Sequence, residues 1–118
     1  MLECDVVSRV TIPALRMAVS KELSGEHKYK QEKIAEILGV NQATISNYLN
    51  SIGSKAIKRA EKVIIERGLE RKVVKMIVYG ASKKDVDKTL EEMGTDPALI
   101  ESASSALGNP AIIERKYT

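Results

Sequence analysis

The stretch from Gln31 to Asn50, QEKIAEILGVNQATISNYLN, constrains the fold more than any other part of the chain. At helical spacing Ile34, Ile37 and Leu38 form one apolar stripe, with Ala35 beside it. Gly39 follows where a helix end needs a residue free to take positive φ. Val40 is an apolar plug, and Asn41 suits the N-cap of a second helix from Gln42 to Leu49. That helix repeats the stripe with Ile45, Tyr48 and Leu49. Two short helices joined by a tight turn containing glycine make a helix-turn-helix.

Such helices cross steeply, so the first needs a small residue at the crossing, and Ala35 supplies it. The pair cannot bury its apolar side alone. Ile34, Leu38, Val40, Ile45 and Tyr48 must therefore face a core built by neighbouring helices. The outward face of the second helix is polar and uncharged: Gln42, Ala43, Thr44, Ser46 and Asn47. Side chains that donate and accept hydrogen bonds, plus a methyl, are what reading base edges in a major groove requires.

From Gln31 to about Arg59 the chain resembles the helix-turn-helix of lambda-repressor-like (XRE-type) regulators. Gln31 and Gln42, eleven positions apart and each opening a helix, carry that resemblance most specifically. In phage repressors of the family the first glutamine contacts a phosphate and braces the second, which reads a base. The run from Thr11-Ile-Pro-Ala-Leu-Arg16 through Leu38 to Ser46 is also similar to a group of archaeal predicted transcriptional regulators. Long members of that group carry a thiamine-phosphate domain that this chain is too short to hold.

The resemblance implies an all-α fold, a lambda-repressor-like helix-turn-helix bundle with additional C-terminal helices. It implies a sequence-specific regulator that binds double-stranded DNA as a homodimer, with helix 42–49 in the major groove. Gln42 would read adenine, Ala43 would touch a thymine methyl, and Asn47 would reach deeper. Thr44 and Ser46 would contact bases or phosphate. Gln31, Asn50, Ser54, Lys55, Lys58 and Arg59 would hold the sugar-phosphate backbone.

Charge agrees with that polarity. The 118-residue chain carries a net +3, unevenly spread. Residues 1–80 hold 14 basic and 9 acidic residues, whereas residues 81–118 hold 5 and 7. The part containing the helix-turn-helix is the part drawn to phosphate. A boundary is expected near Gly80 to Ser82, dividing a DNA-binding domain (1–80) from a helical extension (81–118) suited to dimerisation. Four Tyr and no Phe or Trp leave a core of Ile, Val, Leu, Ala and Met.

Along the chain, residues 1–11 suit either a short strand or a first helical turn. Ile12 to Leu23 reads as a helix capped by Thr11, with Pro13 in its first turn. Asn50 to Ser54 makes a turn, and Ser54 caps a helix from Lys55 to Arg67. Gly68 ends it, and Leu69 to Tyr79 forms a helix apolar on more than one side, which suggests a contribution to a dimer. Helices at Lys83–Met93 and Pro97–Leu107 follow, separated by Gly94 as a stop and Asp96 as a cap. The closing AIIERKYT keeps two isoleucines in need of cover.

Catalytic parts are missing from the sequence. One His and one Cys lie far apart, zinc ligands are too few, and Gly80-Ala-Ser-Lys-Lys84 lacks the earlier glycine of a phosphate loop. Cys4 is expected to be buried, and His27 to lie on the surface. No enzyme activity, metal or cofactor is expected, and no effector is identified. No apolar run approaches a membrane span and no signal peptide opens the chain, so a soluble, cytoplasmic protein is expected. Two other classes fit the same residues: a protein-interaction module on a helix-turn-helix scaffold, and an RNA binder, the latter disfavoured by scarce aromatic stacking platforms.

Overall fold

The structure, a computed structural model, describes residues 3–106. Among these the regular elements are all helical. In order they are α1 (Glu3–Val6), a π-helical turn (Val7–Thr11), α2 (Ile12–Gly25), α3 (Gln31–Leu38), α4 (Gln42–Leu49), α5 (Lys55–Arg67), α6 (Glu70–Val78), α7 (Lys83–Gly94) and α8 (Pro97–Ala106). The all-α expectation holds. The ending of the last helix at Leu107, the Gly108-Asn109-Pro110 stop and the closing AIIERKYT lie outside the described residues.

Residues 3–11 are helical, and they run into α2 without a break. Thr11 is therefore not a cap: it sits in helical conformation (φ −68°, ψ −46°) and is buried. Pro13 explains the wider turn before it. A proline lacks its N–H, and its ring clashes with the carbonyl four residues back. A π turn, in which the Ile12 N–H reaches the Val7 carbonyl, displaces that ladder. Thr11 is instead a tether, its hydroxyl donating to the Gly94 carbonyl at 2.8 Å. Cys4 is exposed, not buried, because Val6 and Val10 take the inward side of this segment.

The core gathers around α2, which packs on α3, α4, α5, α6 and α7. Ala14, Leu15, Met17, Ala18, Val19 and Leu23 are all buried, so α2 is apolar over a far wider arc than a surface helix. Against it α3 sets Ile34 and Leu38, α4 sets Ile45 and Tyr48, and α5 sets Ala56, Ala60 and Ile64. From α6 come Val73, Val74 and Ile77, so most of its broad apolar side is absorbed within the chain.

Helices on both sides of Gly80 enter this one core. Val86 and Leu90 of α7 and Leu99, Ile100 and Ala103 of α8 are buried in it, and α8 lies mainly against α5. Gly94, expected as a stop, is the last residue of α7. It ends α7 without positive φ, buried where a Cβ would come within 2.9 Å of Ile12 Cγ1. Its smallness lets α7 meet the start of α2. Asp96 caps α8 as expected, accepting from the Ala98 N–H at 3.0 Å.

Candidate nucleic-acid interface

The turn between α3 and α4 is set by two residues. Gly39 takes φ 70°, and the Val40 N–H then bonds the Ala35 carbonyl at 3.1 Å. The Lys83 side chain lies across Gly39, bringing the start of α7 against this turn. Asn41 is extended (φ −81°, ψ 163°) and caps α4, its Oδ1 accepting from the Thr44 N–H at 2.8 Å. Val40 is half-buried and completes the connection.

With Ile45 and Tyr48 inward, α4 leaves Gln42, Ala43 and Asn47 exposed and Thr44 and Ser46 half-exposed. The structure thus puts the five residues proposed as base readers on one element, with a limit on Thr44. Its hydroxyl also donates to Asn41 Oδ1 at 2.9 Å, so it faces a ligand as an acceptor and a methyl. Gln31, half-buried at the start of α3, is not hydrogen-bonded to Gln42. Asn50 spends one amide hydrogen on the Ser46 carbonyl at 2.9 Å, closing α4.

The start of α5 supplies cations. Ser54 caps it by accepting from the Ile57 N–H at 3.1 Å, which leaves its hydroxyl hydrogen free to donate. Lys55, Lys58 and Arg59 are exposed and make no ion pair among the described residues. Free N–H groups, a hydroxyl donor and unpaired cations at one helix start can hold an anion such as phosphate.

Three features went unread in the sequence. Lys21 Nζ reaches Ser51 Oγ at 2.7 Å and Glu61 Oε2 at 2.8 Å, tying α2 to the turn after α4 and to α5. Glu61 is buried, and the approach is off the hydrogen-bonding direction, so Coulomb attraction carries the pair. Ser51, held by this lysine, has φ 55°, a left-handed conformation that strains a non-glycine residue. Partners thirty and forty positions away leave no local pattern. Second, Arg16 stands beside the Tyr48 hydroxyl: burial pushes that phenol above its ordinary pKa and the guanidinium partly offsets this. Third, Lys33 lies 4.4 Å over the Tyr29 ring at the start of α3, flanked by exposed Lys28 and Lys30. The lysine spacing in KYKQEK could have shown that group.

Among the described residues no three His, Cys, Asp or Glu side chains gather to hold a metal, and no helix is long and apolar enough to cross a membrane. Compared with family models, curated proteins and solved structures, the chain gives no match.

Proposed function

We propose that the chain is a transcriptional regulator that binds specific sequences of double-stranded DNA through a lambda-repressor-like helix-turn-helix. It acts as a homodimer, setting two α4 helices in successive major grooves about 34 Å apart. Gln42, Ala43, Thr44, Ser46 and Asn47 read base edges, Thr44 as an acceptor and methyl. Gln31, Asn50, Ser54, Lys55, Lys58 and Arg59 fix the register on the phosphates.

The observation that carries this reading is the pairing of an uncharged polar face on α4 with an unpaired basic start of α5. Sequence reading needs the first, and affinity for a polyanion needs the second. Selection of bound duplexes from a randomised pool, with the full chain at moderate salt, tests it. A palindromic consensus is the expected result, and its half-site spacing reports the distance between recognition helices. No enrichment by a folded protein would refute it and favour the interaction-module reading, for which the exposed Tyr79 is the specific observation.

A further inference from the structure

The outward side of α6 has no part in the DNA reading. Val73, Val74 and Ile77 turn inward, while Val78 and Tyr79 are 41% and 79% exposed beside half-buried Met76. Tyr79 closes the helix, and Gly80 turns the chain away with φ 87°. Two clefts flank the ring. One of about 440 Å³ runs toward Lys72, Met76 and Ala81. The other, of about 210 Å³, runs toward Glu22, His27 and Val74, and Lys75 borders both. Around the ring, Arg71, Lys72 and Lys75 are exposed and make no ion pair among the described residues. An accessible Tyr and Met beside an Arg have the make-up of a binding hot spot, and the lysines add charge at its rim.

We infer that this face docks an amphipathic helix of a partner protein, with an apolar stripe to straddle Tyr79 and acidic residues to meet the three cations. Charge selects this occupant. A second copy related by a twofold axis would set the cationic face of Arg71, Lys72 and Lys75 against the same cationic face, a repulsive contact. Nucleic acid would meet the cations but leave Met76 and Val78 facing phosphate and sugar. An acidic helix satisfies the ring, the clefts and the charge together, with Glu22 at the edge as the one carboxylate lining either cleft. The inference stands apart from the DNA reading, because α6 packs mainly on α2 and α7.

The test pans the full chain against a displayed library of helical peptides randomised at charged and apolar positions. Enriched peptides should be acidic, and Tyr79→Ala should weaken them about tenfold or more. Lys72→Glu with Lys75→Glu should abolish that binding and accept charge-reversed peptides. These positions are exposed, and an unchanged circular dichroism spectrum verifies folding. Basic or uncharged winners, no winners, or winners indifferent to Tyr79 overturn the inference. Self-association, or binding of a single-stranded oligonucleotide, that Tyr79→Ala removes would overturn it as well.

Discussion

At the scale of single residues, two glycines do opposite jobs. Gly39 is needed for its φ of 70°, since the side chain a Cβ would meet is the movable end of Lys83. Gly39→Ala should cost about 1–2 kcal/mol in thermal or urea unfolding, and adding Lys83→Ala should not rescue it. Gly94 has ordinary helical geometry, so alanine would favour the helix locally. Its Cβ would nevertheless press on Ile12 and on the Thr11 hydroxyl, both fixed in packed helix, and Gly94→Ala should cost about 1–3 kcal/mol. The first job was legible, because a glycine between two apolar stripes marks a turn. The second was not, because Thr11 is 83 positions away. Glu70 was equally hidden. Burial raises its carboxyl above the ordinary 4.5, Glu22 adds to this, and its own backbone N–H and Arg71 partly oppose it. The folded chain therefore holds this proton to higher pH than the unfolded chain. Its contribution is complete below the unfolded value and is lost as pH rises through the folded one. Glu70→Gln should match the parent in acid and gain on it as pH rises above the ordinary carboxylate range, which urea melts from acid to neutral pH would measure. On the proposed DNA face, Gln42→Ala should relax specificity at one base pair, costing about 1–3 kcal/mol at the preferred base. Lys55→Ala should instead weaken all sequences alike and lower the salt slope by about one, both read by titration at several salt concentrations.

At the scale of elements, the caps were legible and the crossings were not. Asn41, Ser54 and Asp96 all accept from a backbone N–H two or three positions on, a local geometry that residue type announces. Thr11 failed as a cap because Pro13 displaced the ladder into a π turn and left the helix unbroken. Nor did periodicity show that α2 would be enclosed on nearly every side, since that depends on how many partners surround it. The Lys21 bridge shows what such crossings hold in place. It joins α2, the strained Ser51 turn and buried Glu61, and so fixes α4 relative to α5. Lys21→Met should cost about 3 kcal/mol, the low end for stranding a buried charge, because Lys21 is itself partly solvated. The double variant Lys21→Met, Glu61→Leu should recover most of that loss in a double-mutant cycle of chemical unfolding.

For the whole molecule, the change of charge near Gly80 did not mark a change of core. Val86, Leu90, Leu99, Ile100 and Ala103 are at most 5% exposed, among residues drawn from the first eighty. At roughly 1.5–3 kcal/mol for each of the four larger side chains, their burial rivals the typical stability of a small domain. A fragment ending at residue 80 is therefore expected to lose cooperative unfolding and dispersed amide resonances, whereas the full chain keeps both. Charge and apolar periodicity are local quantities, and which surfaces meet is not. The same closure has a consequence for synthesis. A ribosome adds about 5–20 residues per second, N-terminus first. Residues 31–50 thus emerge seconds before Gly94 can accept the Thr11 hydroxyl and α8 can cover α5. In that interval α3 and α4 can settle on α2, but the turn between them still waits for α7, which reaches it from the late end of the chain.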